Sequence, residues 1–265
     1  RTPFRMSFFG GGTDIPEFFN EHGGSVISTT FDKYCYVTAR HLPPFFDYST
    51  ELVYSRIERV ENPSELEHPA VRNAMAMLGM HEMRVSYEAD LPARSGLGTS
   101  SSFAVGMLNA FHCIKGTYAS KERLAKEAIK LERDLCAEAG GWQDQVAAAF
   151  GGLNRIDFAD GGFTVHPLVI SPERKRELER NLMLFFTGFT RFSSDTQKKN
   201  HVANKTAQLK EMLTLVDMAE GVLTDKQKNL TEFGRLLDTT WKLKRGTGSQ
   251  VSTGSIDALY EQGIN

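Results

Sequence analysis

Alternating apolar and polar positions along the chain mark several predicted strands. Gly24–Arg40 is rich in β-branched and aromatic residues with partial alternation, which predicts one long strand or a hairpin. Leu52–Val60 and Met83–Ala89 predict two further strands. Leu153–Phe158 and Phe163–Leu168 alternate on either side of an Asp-Gly-Gly turn, which is typical of a hairpin.

Other segments follow the helical period. Pro69–Leu78 predicts a short helix with proline in its first turn, and Ser120–Cys136 predicts a helix whose first residue is the N-cap. A helix from about Pro172, a strand over Leu182–Phe186 and a largely helical stretch to Tyr260 complete the chain. Because strands and helices do not alternate in a regular βαβ period, the pattern favours an α+β fold.

Length and composition narrow the class of protein. The 265 residues suit one large or two small domains, and a formal charge of −2 with scattered Lys and Arg argues against nucleic-acid binding. Cys35, Cys113 and Cys136 are odd in number and far apart, which argues against a disulfide framework and a zinc site. Without an apolar run of membrane-spanning length or a secretory signal, we expect a cytoplasmic protein.

The segment PARSGLGTSSS, Pro92–Ser102, lies between the predicted strand Met83–Ala89 and the apolar, helix-compatible segment Phe103–His112. A strand, a glycine turn and a helix N-terminus together form an anion site, because free backbone N–H groups and the positive helix end converge there. We expect a nucleotide phosphate. The predicted contacts are Pro92, Arg94, Ser95, Gly96, Leu97, Gly98, Thr99, Ser100 and Ser101.

Two better-known phosphate motifs do not fit this loop. The dinucleotide fingerprint needs a third glycine where Ser101 stands, and the same substitution breaks the protein-kinase glycine loop. A Walker loop needs a Gly-Lys pair, and no lysine stands near Gly98. The phosphate would therefore be held by backbone amides and hydroxyl groups. An ordinary glycine-serine turn is the structural alternative.

Three segments in this order resemble the GHMP kinases, named for galactokinase, homoserine kinase, mevalonate kinase and phosphomevalonate kinase. RTPFRMSFFGGGTDIPEFF at Arg1–Phe19 is similar to the first motif of the sugar-kinase branch, and Pro92–Ser102 is similar to the second motif. LERDLCAEAGGWQDQVAAAFGG at Leu131–Gly152 resembles the segment that carries the magnesium carboxylate and the catalytic aspartate.

The resemblance implies an ATP- and Mg²⁺-dependent kinase with two domains. Residues 1–152 would form the N-terminal domain, like ribosomal protein S5 domain 2, and residues 153–265 a ferredoxin-like C-terminal domain. In this family the active site lies in the cleft between the halves. The chain lacks the family's third glycine-rich motif and begins at Arg1. We therefore expect the sequence to be truncated before that motif.

The resemblance also implies residue roles in phosphoryl transfer. Ser100 and Glu132 match the magnesium ligands, and Asp144 matches the aspartate that accepts the proton of the attacking sugar hydroxyl. Arg5 matches the arginine beside this aspartate, where a fixed cation would keep Asp144 ionised. The structural alternatives are a solvated helix acid at Glu132, a turn aspartate at Asp144 and a surface ion pair at Arg5.

The sugar-binding element implied by the resemblance is Gly11, Gly12, Thr13 and Asp14, with a glycine-rich turn before a helix as the structural alternative. Galactokinases carry a glutamate and a histidine at the two glycines, so this chain has room for a larger sugar. For a second phosphate on the sugar we predict Arg191, which follows the predicted strand in the segment TGFTRFSSD.

GGGTD together with GGWQDQ most resembles kinases of D-glycero-D-manno-heptose 7-phosphate. The sequence therefore predicts an ATP-dependent kinase acting on the anomeric hydroxyl of that sugar. An L-fucose kinase-like enzyme and a non-catalytic kinase-fold sensor of sugar and nucleotide are the alternatives. The expected partners are ATP and a small sugar or sugar phosphate, not a nucleic acid or a membrane, and the charge balance disfavours RNA binding through the S5-like half. Nothing in the sequence specifies an oligomeric state.

Overall fold

The protein is described here by a computed structural model that covers residues 1–93, 95–185, 205–246 and 252–264. The chain packs into two compact units. The first combines Arg1–Met6 with Thr30–Gly152, and the second combines Ser7–Thr29 with the chain from Leu153 onward. The second unit thus includes residues 7–29, which the sequence-based division at residue 152 assigned to the N-terminal domain.

The strands are few and mostly short, with one long exception. They are β1 (Thr2–Phe9), β2 (Gly24–His41), β3 (Thr50–Val53), β4 (Ile57–Val60), β5 (Met83–Ala89), β6 (Leu153–Ala159) and β7 (Gly162–Pro167).

Helices make up most of the remaining described chain. They are α1 (Pro16–His22), α2 (Pro69–Leu78), α3 (Thr99–Ile114), α4 (Lys121–Ile129), α5 (Gln143–Phe150), α6 (Pro172–Arg180), α7 (Thr206–Thr224), α8 (Leu230–Gly246) and α9 (Gly254–Ile264), with a 3₁₀ turn at Pro63–Glu65 and a π-helical segment at Lys130–Leu135. The predicted α+β class is confirmed. None of these helices combines the length and apolar character needed to cross a bilayer.

In the first unit, β5 lies at the centre of a sheet. It pairs antiparallel with the C-terminal half of β2, from Cys35 opposite Ala89 to His41 opposite Met83, and parallel with β3, which forms a hairpin with β4. Alternate residues of these strands face α2 and α3 and form an apolar core. The core includes Phe4, Cys35, Leu52, Val71, Met75, Val85, Met107 and Phe111.

In the second unit, the N-terminal half of β2 pairs antiparallel with β6, and β6 forms a hairpin with β7. Phe19 of α1 stacks on Phe158 of β6, with ring centroids 5.7 Å apart. Phe18, on the neighbouring position of α1, packs on Leu209 and Met212 of α7. These contacts bury the aromatic residues that follow the glycine-rich segment.

A buried arginine closes the C-terminal end of α7 in the second unit. Arg174 is 6% exposed, and its Nη2 donates to the carbonyl oxygen of Val222 at 2.6 Å and to that of Lys228 at 2.8 Å. The last carbonyls of a helix have no intrahelical partner, so a guanidinium group satisfies them. We therefore expect Arg174 to contribute strongly to stability.

A buried carboxylate in the sheet of the first unit contacts side chains on both neighbouring strands. Glu51 of β3 accepts from Arg59 Nε at 2.9 Å and pairs with Arg84 Nε at 2.7 Å. Burial alone would raise the pKa of Glu51, but the bonds and charges of the two arginines outweigh it and lower the pKa. The cross-strand pairing of these three residues follows from the register of β3 with its two neighbours.

Local patterns predicted most of these elements. Met83–Ala89 and Pro69–Leu78 are confirmed as β5 and α2, and Gly24–Arg40 forms one long strand rather than a hairpin. The single strand predicted at Leu52–Val60 is wrong, because the chain reverses there and Tyr54 N donates to the carbonyl oxygen of Arg56 at 2.8 Å.

The strand predicted at Leu182–Phe186 is also wrong over residues 182–185, and residue 186 lies outside the described chain. Its apolar run indicated a buried strand, yet Met183 is 81% exposed and Phe185 71% exposed. An apolar run forms a strand only where another strand is available to pair with it.

Candidate active site

The loop between β5 and α3 has the strand–turn–helix geometry that the sequence predicted. Gly96 and Gly98 adopt left-handed φ angles of 78° and 71°, which glycine reaches without steric cost. Gly98 is the N-cap of α3, and its carbonyl oxygen accepts the first intrahelical bond, from Ser102 N at 2.9 Å. The N–H groups of residues 99–101 therefore precede the helical hydrogen-bond ladder and form the positive end of α3.

The other predicted phosphate contacts in this loop differ in how deeply they are buried. Pro92 is exposed, whereas Leu97 packs on the apolar core of the first unit. The Oγ atom of Ser95 is buried and has no hydrogen-bond partner in the described part of the chain, which suits a donor reserved for a ligand. Arg94, a predicted phosphate contact, lies outside the described residues.

Arg5 of β1 joins this loop to the predicted catalytic aspartate. Its Nε and Nη2 atoms contact Asp144 Oδ1 at 2.7 and 2.6 Å, and its Nη1 donates to the carbonyl oxygen of Gly96 at 2.9 Å. The backbone N–H of Arg5 also donates to Leu97 O at 3.1 Å. The side chains of Arg5 and Asp144 are 12% and 29% exposed, so this is a partly buried ion pair rather than a surface one.

Gly98 lies directly against this ion pair. A Cβ atom built on Gly98 would be 3.0 Å from Arg5 Cγ and 3.6 Å from Asp144 Cγ. A Cβ built on Gly96 would meet nothing within 4 Å. Gly98 is therefore needed both for its backbone angle and for the space that the ion pair occupies, whereas Gly96 is needed for its backbone angle alone.

Glu132 and the hydroxyl groups at the start of α3 form a second cluster in the first unit. The Glu132 carboxylate is 3% exposed and accepts from Ser100 Oγ at 2.5 Å, Ser101 Oγ at 2.6 Å and Gln145 Nε2 at 2.5 Å. Burial raises the pKa of Glu132 to about 7, against the lowering effect of these three donors. The solvated helix acid that charge pattern alone would suggest is wrong at this position.

Glu132 lies on an unusual helical segment. The helix that begins at the Ser120 N-cap, whose Oγ accepts from Arg123 N at 3.1 Å, changes from α to π geometry at Lys130 and ends at Leu135. Such single π turns occur frequently at functional sites. The sequence predicted the helix and its cap but carried no signal for the change of geometry.

The oxygen pair formed by Ser100 and Glu132 has the chemistry of a magnesium site. Mg²⁺ prefers oxygen ligands and keeps several waters, so one hydroxyl and one carboxylate are sufficient from the protein. Ser100 is exposed, which leaves this edge of the cluster open to a ligand. Within the described ranges, no group of three or more His, Cys, Asp or Glu side chains could hold a metal ion.

The predicted sugar-binding segment belongs to the second unit and forms a tight turn. A Cβ on Gly10 would lie 1.8 Å from Ser25 O, so only glycine fits there. Thr13 is fully buried; its Oγ1 donates to Gly10 O at 2.8 Å and accepts from Ser25 N at 3.1 Å. The structure thus gives Thr13 a role in holding the turn, and its sugar contact stays a prediction.

The neighbouring residues of the turn also bond internally. Asp14 is 2% exposed, and its Oδ1 accepts from Gly12 N at 2.9 Å. Gly11 is partly exposed, and a Cβ on Gly12 would lie 3.2 Å from Leu209 Cδ2. Sugar binding by these residues stays a prediction, as does the phosphate contact of Arg191, which lies outside the described residues.

This fold and this loop match a known family of enzymes. Residues 65–152, which include the loop, Glu132 and Asp144, match the family model described as GHMP kinases N terminal domain. The structure resembles a crystal structure of a D-glycero-D-manno-heptose 1-phosphate kinase from Bacteroides thetaiotaomicron, with a TM-score of 0.78, 24% identity and coverage of 96% of this chain and 81% of that one. The chain therefore resembles the GHMP kinases in the sequence of residues 65–152 and in its fold.

The chain is also similar to sugar kinases along nearly its whole length. It is 27% identical to the D-glycero-alpha-D-manno-heptose 7-phosphate kinase of Campylobacter jejuni, over 100% of this chain and 82% of that protein. It is 24% identical to the bifunctional fucokinase/GDP-fucose pyrophosphorylase of Arabidopsis thaliana, over 98% of this chain but 27% of that protein. Both of these relatives are named as kinases that act on sugars.

Proposed function

We propose that the protein is an ATP-dependent kinase that phosphorylates the anomeric hydroxyl of D-glycero-D-manno-heptose 7-phosphate. The observation that carries the proposal is the ion pair of Arg5 with Asp144, bonded to the carbonyl oxygen of Gly96 in the phosphate loop. A non-catalytic sensor has no need of a carboxylate fixed beside a phosphate loop. The similarity to the Campylobacter jejuni heptose 7-phosphate kinase supports this choice of sugar.

Asp144 is the proposed proton acceptor. Both side-chain contacts from Arg5 go to Oδ1, so Oδ2 is the oxygen that we assign to the incoming hydroxyl. The hydroxyl proton passes to Oδ2 as the sugar oxygen forms a bond with the γ-phosphorus of ATP. The bond between that phosphorus and the β–γ bridging oxygen breaks, and ADP leaves. General-base assistance of this kind contributes about 10²- to 10⁴-fold in rate.

The phosphates of ATP would be held by the first-turn N–H groups of α3, the loop hydroxyls and the guanidinium of Arg5. Ser100 and Glu132 are the proposed Mg²⁺ ligands, because their oxygens lie 2.5 Å apart at an exposed edge of the loop. Bound Mg²⁺ neutralises charge on the phosphates during transfer. The protein itself makes few covalent changes, so its contribution is positioning and charge.

The sugar-binding proposal rests on the glycine-rich turn of the second unit. Gly11, Gly12, Thr13 and Asp14 are the proposed contacts, and Arg191 is the proposed partner of the 7-phosphate. A Cβ atom on Gly12 would lie 3.2 Å from Leu209 Cδ2, and the φ angle of 109° is strained for any residue with a side chain, so glycine is favoured at this position. Leu209 already occupies the side-chain position at Gly12, so the expected extra room for a larger sugar has no support at this glycine.

A substrate panel tests the proposal. The protein is incubated with Mg²⁺, ATP and each of heptose 7-phosphate, L-fucose and galactose, and ³¹P NMR identifies the position of the new phosphate. We expect the highest kcat/KM with heptose 7-phosphate and a new anomeric phosphate. A preference for L-fucose would support the fucokinase alternative, which the Arabidopsis relative favours. ADP formation that no sugar stimulates would contradict both.

A further inference from the structure

We propose that Ser101 and Gln145 are positioning residues that fix the carboxylate of Glu132 for the magnesium site, an inference that rests on the proposed function. Ser101 Oγ and Gln145 Nε2 both donate to Glu132 Oε2, at 2.6 and 2.5 Å. The remaining oxygen, Oε1, faces Ser100 Oγ at 2.5 Å. The two donors therefore determine which oxygen of Glu132 faces the exposed side of the cluster.

The carboxylate needs this support because its terminal torsion is soft. The last torsion of a glutamate side chain is broad and roughly two-fold, so burial alone does not select one orientation of the two oxygens. Ser101 comes from α3 and Gln145 from α5, and donors from two separate helices on one oxygen define the carboxylate plane. Both residues are at least nine-tenths buried, at 3% and 5% exposed, so water does not compete for these bonds.

The orientation of the Gln145 amide is set by the same contact. Its Nε2 faces Glu132, and its Oε1 is buried with no partner in the described part of the chain. Turning the amide over would place its oxygen against a carboxylate oxygen that only accepts. Because Gln145 follows Asp144 directly, the first turn of α5 holds the proposed proton acceptor and the support of the proposed metal ligand side by side.

The adjacent serine provides a matched control. Ser102 is 0% exposed, and its Oγ donates to the carbonyl oxygen of Pro3 at 2.8 Å rather than to Glu132. Ser101→Ala and Ser102→Ala each remove one hydroxyl bond from a buried position of the same helix turn. Only Ser101→Ala removes a bond to the carboxylate.

The experiment measures Mn²⁺ binding by electron paramagnetic resonance on protein saturated with a non-hydrolysable ATP analogue. Loss of a partner that orients a metal ligand typically costs 10- to 100-fold in affinity. We expect Ser101→Ala and Gln145→Met to weaken Mn²⁺ binding roughly tenfold or more, and Ser102→Ala to bind like the parent. The Mg²⁺ concentration for half-maximal turnover should rise by the same factor.

Equal Mn²⁺ affinities for Ser101→Ala and Ser102→Ala, in a parent that phosphorylates its sugar, would overturn the inference alone. A parent that binds Mn²⁺ at least tenfold more tightly than Ser101→Ala, but transfers phosphate to no sugar, would overturn the proposed function alone. Circular dichroism checks folding. If Ser101→Ala does not fold, Gln145→Met is compared with the parent, and unchanged Mn²⁺ affinity in that variant likewise overturns the inference.

Discussion

Replacing Gly98 by alanine tests whether the loop between β5 and α3 and the ion pair of Arg5 with Asp144 depend on each other. The new Cβ would lie 3.0 Å from Arg5 Cγ, which is the base of a side chain whose guanidinium contacts both Asp144 and Gly96. Gly96→Ala is the matched control, because its φ of 78° is close to the 71° of Gly98 but its Cβ meets nothing within 4 Å.

The expected magnitudes follow from these two environments. A left-handed φ costs a residue with a side chain about 1–2 kcal/mol, and the lower entropy of the unfolded alanine chain offsets about 0.4–1 kcal/mol. Gly96→Ala should therefore lower the free energy of unfolding by roughly 1 kcal/mol. Gly98→Ala should lower it by roughly 3 kcal/mol, because displacing Arg5 also weakens a hydrogen bond to a charged group, worth about 1.5–3 kcal/mol.

Turnover separates the two variants further. A displacement of about 1 Å in a reacting arrangement can cost about 10²-fold in rate, so kcat should fall by about that factor in Gly98→Ala and by less than about tenfold in Gly96→Ala. Urea unfolding without nucleotide measures stability, and kcat is measured at saturating ATP. Equal kcat values in the two variants would refute the idea that Gly98 makes room for the ion pair.

Three further predictions concern other side chains. Arg174→Met should lower the free energy of unfolding in urea by about 2–4 kcal/mol, because it removes the donor to the carbonyl oxygens of Val222 and Lys228, whereas exposed Arg176→Met should change it by less than about 0.5 kcal/mol. The pKa of Glu51 is lower in the folded protein than in the unfolded chain. The ionised Glu51 therefore stabilises the folded state fully at pH values above the pKa of an ordinary glutamate, and this stabilisation is lost as the pH falls through the folded-state pKa. The stability difference between parent and Glu51→Gln in urea should therefore shrink below about pH 4; a constant difference would contradict this. Burial raises the pKa of Cys35 to about 12, so at pH 8 an aromatic disulfide reagent should label exposed Cys113 rapidly and Cys35 only after unfolding, and Cys113→Ser should remove the fast phase.

Local sequence rules predicted the strand–turn–helix geometry of the loop between β5 and α3 well. The period-two strand Met83–Ala89, the glycines of the turn and the apolar run after Ser102 each depend on neighbours only a few positions away. The same is true of the Ser120 cap and the β6–β7 hairpin. Where backbone angles and capping determine the local structure, a single short segment contains enough information to predict it.

Contacts between distant segments could not be predicted from patterns of this kind. Arg5 bonds to residues 91 and 139 positions away, and nothing near Arg5 in the sequence indicates that its guanidinium reaches both. The resemblance to a known family supplied the pairing with Asp144 but not the bond to Gly96 or the packing on Gly98. Gln145 was missed for the same reason, because its role depends on the helix that carries Glu132.

In the glycine-rich turn of the second unit, the residue types alone do not reveal what the polar side chains contact. Thr13 and Asp14 have side chains that suit sugar hydroxyls, and their residue types alone cannot distinguish ligand contacts from internal bonds. The structure places both inside the turn, where Thr13 bonds to the backbone of Gly10 and Ser25. Whether a short polar side chain in a glycine-rich turn is buried depends on contacts with other segments, such as Ser25 of β2. A local sequence pattern does not show these contacts.

The most direct measurement of the central claim compares the parent with Asp144→Asn in turnover and in ATP binding. Asparagine keeps the size of the side chain but removes the carboxylate oxygen that accepts the proton. With heptose 7-phosphate as acceptor, kcat should fall by at least about 10²-fold while the ATP dissociation constant measured by calorimetry changes little. Unchanged kcat in Asp144→Asn, or no phosphate transfer to any sugar by the parent, would contradict the account.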